Sequence, residues 1–402
     1  MKVLQINCVY QKGSTGKIVY DLHTQLQKNN IESVVCYGRG EKTDGAYKIC
    51  SELYSHINKI YARLTGLAYG GCHFSTRRLI SIIRKENPDI VHLQCINGNF
   101  VNIYRLITWL KKSGIRTILT LHAEFFHTAN CGYAFDCDGW LHGCKDCPVW
   151  RRETQSLFFN RTHGSWKRMK KAFDGFKNLR VVSVSPWLME RAMQSPILGQ
   201  FRHSSILNGL DTDIYHPTDT SHLRRRYAAD DEKIIFFATA AFLSDPTHVK
   251  GGYYILELAK RMKNEKVKFL IAAVCCDDKV VWGENTTYLG TITDQKTLAQ
   301  YYSMADVCIL ASRRETFSMP MAESLSCGTP MVGFKAGAPE TIHLQEHCTF
   351  VEYGDIDALE QAVRKRLDEG KDPAIAQQAE KKYAKERMAH EYITLYKQMM
   401  QE

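Results

Sequence analysis

The sequence predicts an α/β protein built from two Rossmann-like, doubly wound domains facing a cleft. Three observations lead there. Strand and helix patterns alternate in two separate blocks, one on each side of the turn-rich stretch "NGLDTDIYHP" at 208–217. A chain of 402 residues exceeds what one hydrophobic core supports, so two domains are the natural division. Three segments able to bind a ligand, "GSTGK", "LHAEFF" and "SRRETF", fall where apolar runs end. Open parallel sheets bind ligands at those carboxyl ends. The boundaries drawn are 1–205 for the first domain, with a Cys-rich insertion at 122–150, 206–385 for the second, and a final helix at 386–402 that crosses back to the first.

The first block opens with "KVLQINCV", an apolar run short enough for a buried strand. Ile18, Val19, Leu22 and Leu26 then recur at helical spacing, and "IESVVCYG" reads as the next strand. "DIVHLQ" follows Asn87-Pro88, "IRTILTLH" follows a helix ending near Ser113-Gly114, and "LRVVSVS" is a further strand. The second block runs "KIIFFATAAF", "VKFLIAAVCC", "TTYLG", "ADVCILAS", "TPMVGF" and "CTFVEY", separated by helical patterns such as "GYYILELAKRM". Cys275, Cys276 and Cys308 fall in these strand patterns and are expected in the core. "QQAEKKYAKERMAHEYITLYKQMM" reads as one long helix, with Tyr392, Leu395 and Tyr396 expected to pack near the interdomain seam.

Composition narrows the function classes. Hydrophobic residues at 44% and charged residues at 24% mark a globular chain rather than a disordered one. No apolar run reaches the roughly 18 residues of a membrane span, and the chain starts directly on a strand. The expectation is therefore a cytoplasmic protein whose 14 cysteines stay mostly reduced. A net charge of +10 favours anionic partners. No aromatic-basic recognition module points to nucleic acid.

"GSTGK" invites a phosphate reading. It is not a P-loop: Gln11 stands where the first Gly should be, and Ile18 where the magnesium-binding hydroxyl should be. A G-x-G-x-x-G fingerprint is absent as well. What remains is a Gly turn between a strand end and a helix start, where backbone amides attract an anion; an ordinary βα turn fits equally well.

"SRRETFSMPMAESLSCGTPMVGF" carries the most chemistry. Ser318 can cap a helix with Pro320 in its first turn, and Gly328 and Pro330 stop it. Glu315 and Glu323, eight residues apart, flank the helix start. Both can face one ligand whose phosphates meet the helix N-terminus, or Glu323 can simply balance the helix dipole.

The segment resembles the E-x7-E motif of retaining GT-B glycosyltransferases of family 4, with Ser318 at the position where Gly is usual. "NGLDTDIYHP" resembles the family's interdomain linker, "NPDIVHLQ" its central N-terminal strand, and "VSVSPWL" a further strand end. The Cys-rich stretch after "TLH" is similar to that of colanic-acid and O-antigen transferases. The resemblance implies a GT-B fold and sugar transfer from a nucleotide-sugar to a saccharide acceptor, lipid-linked, in surface polysaccharide assembly. It implies no metal for catalysis. By it, Glu315 contacts the donor sugar with backbone amides at Phe317, Ser318 and Met319, Glu323 holds the ribose, and Lys250 neutralises the diphosphate. Relatives carry an Arg after the preceding strand, where this chain has Ala240-Ala241; His248 is a candidate substitute. Gly13 and Gly16 match the N-terminal Gly loop over the donor diphosphate, and His122 the histidine near the donor sugar. Where relatives read "LHD", this chain has Ala123 and then Glu124.

Cys131, Cys137, Cys144 and Cys147 lie within 17 residues, the last two as C-x2-C. Such density suggests a structural zinc held by four thiolates, with His127 and His142 as further candidates, or else free thiols. The stretch 150–173 mixes Arg and Lys with Trp, Phe and Leu. It reads either as a helix packed in the domain with a solvated basic side, or as a peripheral contact with the anionic inner face of the plasma membrane. Competing functions are another GT-B enzyme, such as a sugar-nucleotide epimerase or phosphorylase, and a catalytically silent sugar-binding protein.

Overall fold

The computed structural model describes residues 1–278 and 280–402, apart from the side chain of Cys275. The chain divides into two compact units: Met1–Gly209 with Met388–Glu402, and Leu210–Arg387. The boundaries expected at 205 and 385 fall a few residues before these.

The first unit holds seven strands, β1 (Lys2–Asn7), β2 (Glu32–Tyr37), β3 (Tyr47–Lys48), β4 (Ile90–Leu93), β5 (Arg116–Leu121), β6 (Leu179–Ser183) and β7 (Arg202–Ser205). They form one sheet in the order β3-β2-β1-β4-β5-β6-β7, parallel at every pairing. The central strands are apolar on both faces: Val3, Leu4, Ile6, Ile90, Val91, Leu93, Ile118 and Leu119 are all fully buried. That is what a sheet covered by helices on both sides requires. Local signals end the helices as read. Gly114 adopts φ 72° after the Ile103–Ser113 helix, and the Ser185 hydroxyl accepts the Leu188 N–H at 3.2 Å to start the Pro186–Gln194 helix.

The second unit repeats the plan with β8 (Lys233–Phe242), β9 (Val267–Cys276), β10 (Thr286–Gly290), β11 (Val307–Leu310), β12 (Met331–Phe334) and β13 (Cys348–Val351). Their order is β10-β9-β8-β11-β12-β13, again parallel. Both sheets are thus doubly wound, and the order reverses beside β1 in one and beside β8 in the other. Cys308 is buried in β11 and Cys276 is half-buried at the end of β9.

Two readings need correction. The long C-terminal helix is two helices, Ala374–Tyr383 and Lys385–Gln401. Ala384 sits between them at ψ 140°, because the chain pairs there with Leu210. The Leu210 N–H donates to Tyr383 O at 2.8 Å and the Lys385 N–H to Leu210 O at 2.9 Å. The basic stretch 150–173 is also not one helix. Trp150–Thr154 and Thr162–Phe173 are helical, and the second buries Met169, Ala172 and Phe173 in its own unit. Its apolar side is therefore occupied, which favours the packed reading of that helix.

Candidate functional site

In the first unit, the chain leaves β1 and β4 side by side at the point of reversed strand order. Asn7 ties the two exits together: its Oδ1 accepts the Cys95 N–H at 2.9 Å, and its Nδ2 donates to Val9 O at 2.7 Å. Gly13 and Gly16 do not form the loop itself. They lie in the first turn of the Gly13–Lys28 helix. The reversal is complete before them, because Gln11 takes a φ of 61° and its N–H donates to Gly16 O at 3.1 Å. Gly13 has a φ of 67° with open space around it, whereas a Cβ on Gly16 would come within 3.2 Å of Val9.

His122 follows β5, and its Nε2–H donates to Gln94 Oε1 at 2.8 Å. Burial pulls its pKa down to about 4, so the imidazole is neutral at pH 7. Gln94, 1% exposed, was missed by the sequence reading. The available signal was a glutamine ending an otherwise apolar strand. His92 lies one turn of pleat earlier, bridged to the Tyr396 hydroxyl at 2.7 Å and to Thr120 Oγ1 at 2.7 Å. Burial, and then the neighbouring His122, push His92 down to about 3. Thr120 Oγ1 in turn lies 3.0 Å from the Tyr392 hydroxyl. Tyr392, Leu395 and Tyr396 therefore pack in the first unit, all buried.

In the second unit, Lys250 follows β8 and Glu315 follows β11, the two strands at the reversal. Their side chains meet: Lys250 Nζ donates to Glu315 Oε1 at 2.7 Å, with side-chain exposures of 24% and 11%. The Glu315 backbone is fixed as well, its N–H donating to Ala336 O at 2.9 Å and its carbonyl accepting the Ala338 N–H at 3.2 Å. Gly251 allows Lys250 this position, since a Cβ on Gly251 would fall 2.1 Å from Ala311 O. Ser318 caps the Met319–Ser326 helix, its hydroxyl accepting the Met321 N–H at 3.4 Å. It does so at φ 86°, a region that glycine occupies without strain. The backbone thus accounts for the Gly usual at this position. Phe317 is buried, its ring edge-on to Tyr383 at 6.2 Å, so only its backbone is placed to meet a ligand.

No acid occupies the first turn of that helix, so Glu323 is not a simple dipole-balancing residue. It lines a cavity of about 230 Å³ with Met319, Pro320, Ala238, Ala272 and Tyr302. Burial first, and then the Glu323 carboxylate, push the Tyr302 and Tyr215 hydroxyls up. Neither tyrosine was singled out from the sequence. The arrangement offers apolar walls for a flat ring and a carboxylate for hydroxyl groups. Burial lowers the pKa of His248, the candidate substitute for the missing arginine, against the raising effect of Asp245. Arg313 turns its guanidinium over the Tyr353 ring at 5.8 Å. Lys250 is the cation in contact with Glu315.

The cysteine cluster does not form the metal site expected. Among the described residues, no group of three or more His, Cys, Asp or Glu side chains converges in a way that could hold a metal ion. Cys131 and Cys144 are buried, Cys147 is half-buried and Cys137 is exposed, all as free thiols. Burial pushes the Cys144 thiol up to about 11. The insertion is held by other means. Glu124 is fully buried, accepts the Ala134 N–H at 2.6 Å and pairs with Arg191. Burial alone would raise its carboxyl, but His127, Arg191 and the Ala134 amide outweigh burial and hold it below the usual range. Trp140 packs with Ala134 and Cys144 against Leu141 and Trp166.

Comparison with known proteins agrees with this division. Residues 15–214 match the family model described as Glycosyltransferase Family 4, and residues 233–369 match that described as Glycosyl transferases group 1. The chain is 20% identical to a putative colanic acid biosynthesis glycosyl transferase of Escherichia coli K12, across 99% of this chain and 100% of that one. It is 24% identical to N-acetyl-alpha-D-glucosaminyl L-malate synthase of Bacillus anthracis, across 48% and 52%. Among solved structures, sucrose-phosphate synthase of Thermosynechococcus elongatus superposes with a TM-score of 0.68 at 16% identity, covering 99% of each chain. The catalytic domain of starch synthase IV from Arabidopsis thaliana, bound to ADP and acarbose, gives 0.64 at 14%, covering 100% of this chain and 99% of that one. With two doubly wound parallel sheets, and with one model matching each half, the chain belongs to the GT-B glycosyltransferases of family 4.

Proposed function

We propose that the protein transfers a hexose, with retention of anomeric configuration, from a nucleotide-sugar to a lipid-linked saccharide acceptor during surface polysaccharide assembly. The observation that carries this reading is the Lys250–Glu315 contact of 2.7 Å beside the N-terminus of the Met319–Ser326 helix. A cation, a carboxylate and a set of helix amides in one place suit a sugar joined to a diphosphate. Lys250 leaves Glu315 for the diphosphate and stabilises the charge that grows on it as the glycosidic bond breaks, with no metal required. Glu315 then accepts hydrogen bonds from the sugar hydroxyls, with the amides at Phe317, Ser318 and Met319 on the phosphate side. Glu323, in its apolar cavity, holds the ribose. In the first unit, Gly13 and Gly16 admit the donor diphosphate, and the neutral His122 imidazole receives a sugar hydroxyl.

The chemical step we infer is a front-face displacement. The bond from the anomeric carbon to the diphosphate oxygen breaks, and the acceptor oxygen bonds to the same face. The acceptor proton passes to the departing phosphate oxygen. The name of the colanic acid relative supports the polysaccharide setting. No helix among the described residues is long and apolar enough to cross a membrane. The lipid-linked acceptor of this reading is met at the bilayer surface, on its cytoplasmic side. Nucleoside diphosphate release, measured over a panel of sugar nucleotides, tests the transferase. Donor binding without release on any of them would favour a silent sugar-binding protein. The anomeric configuration of the product, read by NMR, tests retention, and an inverted product would end that part.

A further inference from the structure

The helix Glu52–Thr65 is amphipathic in the wrong sense for a helix facing water. Its buried positions include Ser55 and Asn58. Asn58 serves the interior through polar contacts, its Oδ1 accepting the Cys72 N–H and its Nδ2 donating to Tyr54 O, both at 2.7 Å. The large apolar residues point outward: Leu53 is 71% exposed, Ile57 52%, Ile60 44%, Tyr61 43% and Leu64 45%. At the helical repeat these five fall within about 100° of arc and extend over roughly 16 Å. They form a stripe, not scattered surface residues.

The stripe continues into a second segment. The Leu157 N–H donates to Arg63 O at 2.8 Å, which sets Leu157, Phe158 and Phe159 beside the helix end. These three are exposed by 44%, 65% and 49%. Phe74, 72% exposed, extends the patch at the other end, its ring 6.0 Å from that of Tyr54.

Basic side chains frame this surface. Lys59 and Arg63 stand on the helix itself, and the Arg161 guanidinium lies 5.3 Å over the Phe159 ring. From 151 to 171 the chain has seven Lys and Arg against a single acid, Glu153. Apolar side chains ringed by cations complement an anionic bilayer, whose headgroups meet the cations while its acyl region takes the rings. A second copy of the chain is the poorer occupant, because a self-complementary contact would bring two positive rims together. Lys59, Ala62 and Arg63 also line, with Arg39, Asn97 and Gln155, a cavity of about 220 Å³. The patch therefore borders a polar, cationic recess at the exit of β4.

We propose that the outward face of Glu52–Thr65, with Leu157–Phe159, docks the protein on an anionic membrane surface. The adjoining recess then receives the polar head of the acceptor; this second part rests on the transferase reading, and the docking does not.

The test is co-sedimentation of the full chain with vesicles of phosphatidylcholine mixed with phosphatidylglycerol, against phosphatidylcholine alone. Binding to the anionic vesicles only, weakening as salt rises, is expected. The triple variant Ile57→Ser, Ile60→Ser, Phe158→Ser should bind about a hundred-fold more weakly, with its melting transition unchanged because all three side chains are exposed. Arg63→Glu with Arg161→Glu should lose the salt-dependent part. Equal binding of wild type to both vesicles, no binding to either, or a triple variant that binds as wild type does would overturn the docking. So would a change of oligomeric mass in the triple variant without a change in vesicle binding. Nucleotide-sugar turnover with a water-soluble acceptor separates the two readings: its absence in the wild type ends the transferase reading and leaves the docking standing.

Discussion

The two units share one strand plan and use opposite electrostatics at its reversal point. In the first, the polar groups gathered along β4 and β5 and at their ends, from His92 and Thr120 to Gln94 and His122, are uncharged: two imidazoles held neutral by burial, a buried glutamine, a threonine and two tyrosine hydroxyls from the last helix. In the second, the groups beyond β8 and β11 are a lysine and a carboxylate in direct contact. Neutral donors and acceptors suit hydroxyl groups, which carry no charge to stabilise. An ion pair that can open suits a phosphate, which does. The difference shows that a doubly wound sheet fixes where a ligand binds but leaves its chemistry to the first few residues past each strand.

Breaking the first unit from outside gives the largest effect expected. Deleting residues from 386 onward removes Met388, Tyr392, Tyr396 and Met399, all buried. At about 1.5–3 kcal/mol for each large apolar side chain, the loss rivals the whole stability of a domain, about 5–15 kcal/mol. The first unit should lose its melting transition while the second keeps its own; an unchanged thermogram would mean that the helix is dispensable. Opening the ion pair comes next. Lys250→Ala removes the charge placed on the leaving diphosphate, a loss on the order of a hundred- to a thousand-fold in rate, so kcat/KM for the donor should fall by roughly that factor. A loss below ten-fold in steady-state kinetics would show that the charge of Lys250 is not used.

Acid should separate the units further. His92 and His122 have folded pKa values of about 3 and about 4, below the ordinary 6.5. Between those values the unfolded chain binds more protons than the folded one. Their contribution is therefore fully present above about pH 6.5 and is lost as pH falls toward 4. Melting of the first unit should drop by a few kcal/mol over that window, and His92→Gln should flatten the slope. An equally steep slope in that variant would place the acid sensitivity elsewhere. Glu323→Gln should cost about 1.5–3 kcal/mol of donor affinity, appearing in KM with kcat largely kept. Glu315→Gln should instead lower kcat at saturating donor, and the reverse pattern would exchange the two roles. The smallest effect concerns Ser318, where relief of the φ of 86° in Ser318→Gly should outweigh the lost cap. A gain of about 0.5–1 kcal/mol in the second unit is expected from calorimetry, and a loss would mean that the hydroxyl matters more than the strain.

The sequence carried the fold well because strands buried on both faces are short apolar runs, and "KIIFFATAAF" and "VKFLIAAVCC" coincide with β8 and β9. It misled where tertiary contacts overrule local preference. Nothing near Ala384 announces a break, since its cause is Leu210, far away in sequence. The Glu315 and Lys250 positions were legible from their motifs. That Lys250 would rest on Glu315 was not, because an ion pair depends on the register of β8 against β11. The cysteine spacing suggested a metal, but the loop is organised by Glu124 and Trp140, which spacing does not reveal. The Glu52–Thr65 stripe was passed over because an apolar helical period looks the same whether it faces a core or a bilayer.

The contact between His92 and Tyr396 joins residues 304 apart, and the whole second unit lies between them in the chain. During synthesis the central sheet of the first unit therefore leaves the ribosome incomplete, its polar buried groups waiting for partners not yet made. The second unit has all of its strands well before then and can fold as an insertion while the first stays open. The first unit closes only once the helix Lys385–Gln401 has been made and released, so a chain cut before that helix would leave a folded second unit tethered to an unfinished first.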